Sequence, residues 1–64
     1  MHPNTEAILK YFEYDHLPEQ LQEVSRPVYE LAHHMVATLP EGPELTAGLR
    51  KLQEAKDCFV RTAL

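Results

Sequence analysis

The stretch LPEGPE, residues 39 to 44, divides the sequence into two halves with the same apolar pattern. Its two prolines and its glycine indicate a turn, and Pro43 suits the first turn of a following helix. On both sides, over 21–35 and over 45–63, apolar residues recur at alternating spacings of 3 and 4, which is the heptad pattern of packed helices. Two such seams joined by a short turn predict an antiparallel helical hairpin.

Each long helix contributes one seam to this hairpin. The first seam consists of Leu21, Val24, Val28, Leu31 and Met35, with Leu39 one step beyond the register. The second consists of Leu45, Leu49, Leu52, Lys56, Phe59 and Ala63. Burying an unpaired lysine is costly. Lys56 is therefore expected to reach the rim of the hairpin, to pair with a carboxylate or to contact an anion.

A shorter helix precedes the hairpin. It is expected to run from about Thr5 to Phe12, with Asn4 or Thr5 as its N-cap residue, and it is too short to be stable alone. A connector follows, and Pro18 fits the first turn of the first long helix. The sequence thus predicts a single all-α domain over residues 1–64, with a short N-terminal helix followed by an antiparallel two-helix hairpin.

The chain is small enough that its own core is marginal. It has 64 residues, and domains of this size bury a limited fraction of their surface. Cys58 is the only cysteine, so no disulfide within the chain adds stability, and a single thiol fits a reducing cytosol. We therefore expect a homo-oligomeric helical bundle whose core is shared between copies.

Charge and hydropathy argue against several classes of function. The formal net charge of −4 disfavours a binder of DNA or RNA polymers, which requires a broad basic surface. No apolar run approaches the roughly 20 residues of a membrane span. The N-terminal stretch MHPNTEAILK also lacks the basic and apolar blocks of a secretion signal. These features predict a cytoplasmic protein that does not bind membranes.

The sequence indicates neither catalysis nor a metal site. Cys58 has no basic residue placed to activate its thiol, and the chain contains no phosphate-binding glycine loop or serine-nucleophile motif. Glu30 and His33 form one E-x-x-H step, but di-iron bundles need two such steps and further glutamates. We therefore expect a protein that is not an enzyme and that holds no metal or cofactor.

Three of the chain's five aromatic residues fall in YFEYDHLP, residues 11 to 18. In one interpretation, which we prefer for Phe12, Tyr11 and Phe12 form a small core that ties the first helix to the hairpin. In the other, a tyrosine stacks on a base and Arg26 binds a phosphate, since aromatic rings and arginine together recognise nucleotides. Tyr14 has acidic neighbours, which favours a surface or pocket position.

Two longer motifs resemble those of a known family. They are Y-x-H-L-P-x-x-L-Q-x-V-S over residues 14–25 and P-E-L-T-x-x-L-R-K-L-x-E-A-K-D over residues 43–57. With them, the chain resembles the phage anti-CBASS sponge family over nearly its whole length; the helical-hairpin domain of this family is shared with anti-Thoeris sponges. The resemblance implies a non-enzymatic phage protein that sequesters cyclic oligonucleotide immune signals in the infected bacterium.

The resemblance also implies partners and site residues. Proteins of this family assemble as compact hexamers, with pockets for cyclic dinucleotides such as 3′,3′-cGAMP between subunits and separate sites for cyclic trinucleotides. By position, base stacking falls to Tyr14 or Tyr11, and phosphate binding to Arg26, where the family often has lysine. The candidates for a second anion site are Arg50, Lys51, Lys56 and Arg61.

A second class of function fits the same seams. A structural or adaptor hairpin protein would oligomerise and bind a protein partner through its apolar face. This hypothesis accounts for both seams, but it gives no role to the connector tyrosines or to Arg26. Binding of a cyclic dinucleotide would distinguish the two hypotheses.

Overall fold

Three α-helices make up the fold in the computed structural model, which describes residues 3–64. Their bounds are Pro3–Leu9 for α1, Glu19–Thr38 for α2 and Pro43–Ala63 for α3, and a 3-10 turn at Lys10–Phe12 extends α1. No β-strand occurs within 3–64, so the predicted all-α class is confirmed. The first two residues of the predicted domain lie outside the described part.

The helix boundaries confirm the central turn and correct two helix starts. As predicted, the break falls between α2 and α3, and Pro43 stands in the first turn of α3. Pro18, in contrast, is the N-cap residue of α2, with an extended backbone whose carbonyl accepts the amide of Leu21 at 2.9 Å. The first helix begins at Pro3, so neither Asn4 nor Thr5 caps it. Proline lacks an amide hydrogen and suits a position where no helical bond is needed.

The core is formed by residues from all three helices. Its buried cluster comprises Ile8, Leu9, Phe12, Ala32, Leu45 and Leu49, and the side chains of Val28, Tyr29, Met35, Val36 and Leu52 pack against it. Helices α2 and α3 contact each other, and α1 contacts both. Phe12 is fully buried, with 0% of its surface exposed, which confirms the interpretation that it ties the first helix to the long helices.

The buried faces differ in part from the predicted seams. Leu21, Leu45 and Leu49 are buried as expected, but Leu31, Leu39 and Phe59 are exposed. The buried face of α2 instead includes two small residues, Ser25 and Ala32. The heptad pattern of the two long helices predicted a different buried face for α2, because it takes no account of α1 and its 3-10 turn, which also pack against α2. Ala32 belongs to the same buried cluster as Phe12.

A partly buried hydrogen bond joins the N-terminal helix to the turn between the long helices. The hydroxyl of Thr5, which is fully buried, donates to Glu41 Oε2 over 2.7 Å. This bond spans 36 positions of the sequence. It fixes the first helix at the end of the molecule where α2 stops and α3 begins.

Replacing Thr5 by valine is expected to lower the free energy of unfolding by about 1 to 2 kcal/mol, because a nearly isosteric methyl replaces a buried donor. Urea denaturation measures the loss, at one fixed protein concentration so that any self-association contributes equally to every variant. Thr38→Val is the matched control, because the Thr38 hydroxyl is exposed and donates only to the His34 carbonyl of its own helix. Equal losses in the two variants would contradict the assigned role of Thr5.

None of the helices within residues 3–64 is both long and apolar enough to cross a membrane.

Candidate ligand-binding surface

The connector between α1 and α2, residues 10–18, includes the 3-10 turn and is held by a network of hydrogen bonds. The amide of Leu17 donates to the Tyr14 carbonyl over 3.0 Å, which closes a turn. From the first turn of α2, Gln22 Nε2 donates to the Leu17 carbonyl over 2.8 Å and lies 3.4 Å from the Asp15 carbonyl oxygen. The side chain of one helical residue thus satisfies two main-chain acceptors of the connector. The aromatic stretch is therefore an ordered part of the fold.

Lys56, on α3, contacts the N-terminal end of the aromatic stretch, residues 11–18. Its ammonium donates to the main-chain carbonyl of Tyr11 and lies 3.5 Å from the Asp57 carboxylate. It also lies 5.8 Å from the centre of the Phe12 ring, within the range of cation–π attraction. Only 14% of the side chain is exposed. Of the three outcomes expected for a lysine in this seam, the structure shows pairing with a carboxylate, together with a main-chain carbonyl.

The two connector tyrosines differ in their surroundings. Tyr11 has 60% of its surface exposed and does not belong to the core. Tyr14 is half-buried, and its ring meets that of Tyr29 edge-on, with centroids 5.0 Å apart. The arrangement leaves Tyr11 as the accessible ring and docks Tyr14 against α2.

A row of three rings continues along α2. Tyr29 and His33 are one helical turn apart, and their ring centroids are separated by 4.3 Å at a tilt of 43°. The sequence reasoning missed Tyr29, although its spacing of four residues from His33 places both side chains on one face of a helix. Such pairs contribute packing, and this one supplies the surface on which Tyr14 rests.

Two adjacent depressions flank this row of rings. One, of about 380 Å³, is lined by Glu6, Leu9, Lys10, Glu13, Tyr29 and His33. The other, of about 340 Å³, is lined by Glu13, Tyr14, Asp15 and Tyr29. A third, of about 490 Å³, lies beside the α2–α3 turn and contains none of the predicted site residues. The carboxylates around Tyr14 and Tyr29 repel phosphate, so these depressions alone do not form an anion site.

Arg26 is the predicted phosphate-binding residue, and it lies on α2 three residues before Tyr29. It is exposed, and it forms no hydrogen bond or ion pair with the residues from 3 to 64. Its spacing from Tyr29 places the two on neighbouring positions of the helix surface. The guanidinium is therefore available to a ligand.

The four candidates for a second anion site all lie on α3 in different environments. Arg50 and Lys51 are exposed. Arg61 is exposed as well, but one of its guanidinium nitrogens lies 3.3 Å from the thiol sulfur of Cys58, which corrects the expectation that no basic residue is placed at this thiol. Lys56 is turned towards the connector. The structure thus leaves three of the four cations open to solvent.

The part of the chain covered by the structure holds no group of three or more histidine, cysteine, aspartate or glutamate side chains that could bind a metal ion. In the E-x-x-H step, His33 packs against Tyr29, while Glu30 is exposed. The imidazole thus contributes to the row of rings.

Comparison of the chain with known protein families, with characterised proteins and with solved structures finds no match.

Proposed function

We propose that the protein is a non-enzymatic sponge that binds and sequesters cyclic dinucleotides such as 3′,3′-cGAMP. In the cytoplasm of a phage-infected bacterium, such binding would keep the signal from the CBASS effectors that it activates. The observation that carries the proposal is the exposure of Tyr11, which does not belong to the core, precedes the fully buried Phe12 and has its own main-chain carbonyl bound by Lys56. An accessible ring on an ordered backbone suits base stacking, because little freedom is lost on binding.

The positive charge of Arg26 complements the aromatic ring of Tyr11. Arg26 is exposed and makes no ion pair within the described chain, so its guanidinium can bind the phosphates of a cyclic dinucleotide with charge-assisted hydrogen bonds. A single well-placed cation is enough for a small anion, although the formal net charge of the chain is −4. We assign base stacking to Tyr11 in preference to Tyr14, since the edge contact with Tyr29 already occupies the Tyr14 ring.

The proposal includes assembly of antiparallel helical hairpins into a homohexamer with ligand pockets between protomers. Exposed apolar side chains support it: Leu31, Leu39, Phe59 and Leu64 all lie at the surface of a single chain. Covering these side chains with other copies of the chain would remove apolar surface from water and so stabilise the assembly. In the proposed pocket, the Tyr11 of one protomer and the Arg26 of another contact the same ligand.

Cyclic trinucleotides are proposed as a second class of ligand. Their candidate contacts are the exposed cations Arg50, Lys51 and Arg61, whereas the fourth predicted cation, Lys56, already contacts the Tyr11 carbonyl and Asp57. None of these three exposed side chains forms an ion pair within residues 3–64, so each can bind a phosphate of such a ligand. Binding at this site would be independent of Tyr11.

The alternative function is that of a structural or adaptor hairpin that oligomerises and binds a protein partner. The same exposed apolar side chains favour it. It differs from the sponge in one measurable respect, because it requires no affinity for nucleotides.

Isothermal titration calorimetry with a panel of cyclic di- and trinucleotides tests the proposed function. We expect at least one cyclic dinucleotide to bind with a dissociation constant below about 10 μM, which corresponds to about −7 kcal/mol. The ligand recovered after denaturation of the protein should be intact. If no member of the panel binds below that concentration, the sponge is refuted and the adaptor hypothesis is favoured. Cleaved ligand would instead indicate an enzyme.

A further inference from the structure

Two side chains fix the aromatic connector from opposite helices. We propose that Gln22 on α2 and Lys56 on α3 are positioning residues that hold the backbone on either side of Tyr11 and Tyr14 and thereby set the orientation of the stacking ring. This inference rests on the proposed function, which assigns the base contact to the connector. It gives Lys56 a role exerted through the protein backbone instead of through a bound anion.

Gln22 acts on the C-terminal side of the connector. Its amide group donates to the Leu17 carbonyl and approaches the Asp15 carbonyl, and the Leu17 amide in turn donates to the Tyr14 carbonyl. A side-chain amide is needed for this, because both partners are acceptors. A carboxylate of the same shape would face two carbonyl oxygens without a donor, so Gln22→Glu removes the bonds with little change in volume.

Lys56 acts on the N-terminal side. Its ammonium donates to the Tyr11 carbonyl, and its charge lies near the Phe12 ring. The contact is made to the main chain of Tyr11, so the ring of that residue stays free to point outward. Asp57, at 3.5 Å, offsets part of the charge, which lowers the attraction that remains for a phosphate. These contacts indicate that the lysine serves the connector.

The test combines two measurements on the full-length chain. The first is amide hydrogen exchange over residues 11–18 without ligand, and the second is calorimetric titration with 3′,3′-cGAMP. The disrupting variants are Gln22→Glu and Lys56→Met, the latter of which keeps an unbranched apolar stem over Phe12. Lys56→Arg keeps a charged donor and serves as the rescue. Gln20→Glu is the matched control, because Gln20 is exposed in the same helical turn and makes no hydrogen bond within residues 3–64.

We expect both disrupting variants to exchange the connector amides about five- to tenfold faster, and to bind 3′,3′-cGAMP about five- to tenfold more weakly, as the loss of one hydrogen bond implies. Lys56→Arg and Gln20→Glu should behave like the wild type in both measurements. Circular dichroism confirms that each variant keeps its helices.

The outcomes separate this inference from the proposed function. Unchanged amide exchange rates over residues 11–18 in Gln22→Glu and Lys56→Met would overturn the inference, whatever the ligand affinity of these variants. Faster exchange with unchanged binding would also overturn it, because the connector would then be fixed without consequence for the ligand. If another cyclic dinucleotide of the panel binds more tightly than 3′,3′-cGAMP, it replaces 3′,3′-cGAMP in the titration, and if the wild type binds none of them, the proposed function fails. The exchange rates then still decide whether the two residues hold the connector.

Discussion

Replacing Phe12 by alanine is expected to lower the free energy of unfolding by about 3 to 5 kcal/mol, because the ring is fully buried and its removal leaves a cavity. The side chain belongs to a cluster shared by all three helices, so no single helix can close the gap. A chain of this length has a total stability of roughly 3 to 10 kcal/mol. The variant is therefore expected to be partly or fully unfolded at 37 °C.

Urea denaturation followed by circular dichroism measures this loss, at the same protein concentration for every variant. Phe12→Leu should cost only about 1.5 kcal/mol, because it keeps much of the apolar volume. That variant gives a measurable value if the alanine form does not fold. Tyr11→Ala is the control for the neighbouring ring, which is largely exposed. An alanine effect at Phe12 no larger than that at Tyr11 would contradict the assigned core.

The largest effects on ligand binding are expected at Tyr11 and Arg26. Tyr11→Ala should weaken the binding of 3′,3′-cGAMP about 5- to 150-fold, since stacking contributes about 1 to 3 kcal/mol per base. Arg26→Ala should weaken it about 10- to 150-fold through the loss of charge-assisted hydrogen bonds. Tyr14→Ala is expected to have a smaller effect than Tyr11→Ala, because the Tyr14 ring rests on Tyr29.

Calorimetry on each variant measures these changes, and sizing chromatography shows whether the assembly is retained. Arg26→Lys is the matched variant at the phosphate position, because it keeps the charge but loses the planar fork of donors. It should bind more tightly than Arg26→Ala and more weakly than the wild type. Loss of assembly in both Tyr11→Ala and Arg26→Ala would assign these residues to the subunit interface and favour the adaptor hypothesis.

The helices and the central turn were predictable because their signals are local. Pro40, Gly42 and Pro43 interrupt two regular apolar patterns, and α2 and α3 end and begin at this interruption. The burial of Phe12 was also predicted from the sequence. The exact starts of the first two helices could not be predicted, because a proline is acceptable both as the N-cap residue and in the first turn.

The buried face of α2 depends on which element packs against it, and a heptad pattern does not contain that information. Ser25 and Ala32 are buried, but small side chains carry little hydrophobic signal. The hydroxyl of Ser25 even lacks a hydrogen-bond partner within the part of the chain that the structure describes. The contact between Lys56 and the Tyr11 carbonyl joins residues 45 positions apart, so it follows only from the tertiary fold.

The separation of Phe12 from its partners has a consequence for the timing of folding during synthesis. Helix α1 has seven residues, too few to be stable alone, and its side chains pack on Leu45 and Leu49. At about 5 to 20 residues per second, the ribosome needs roughly 2 to 7 s to proceed from Phe12 to Leu49. During this interval the N-terminal apolar residues lack their partners on α3, so the shared core can form only after most of the chain has been synthesised.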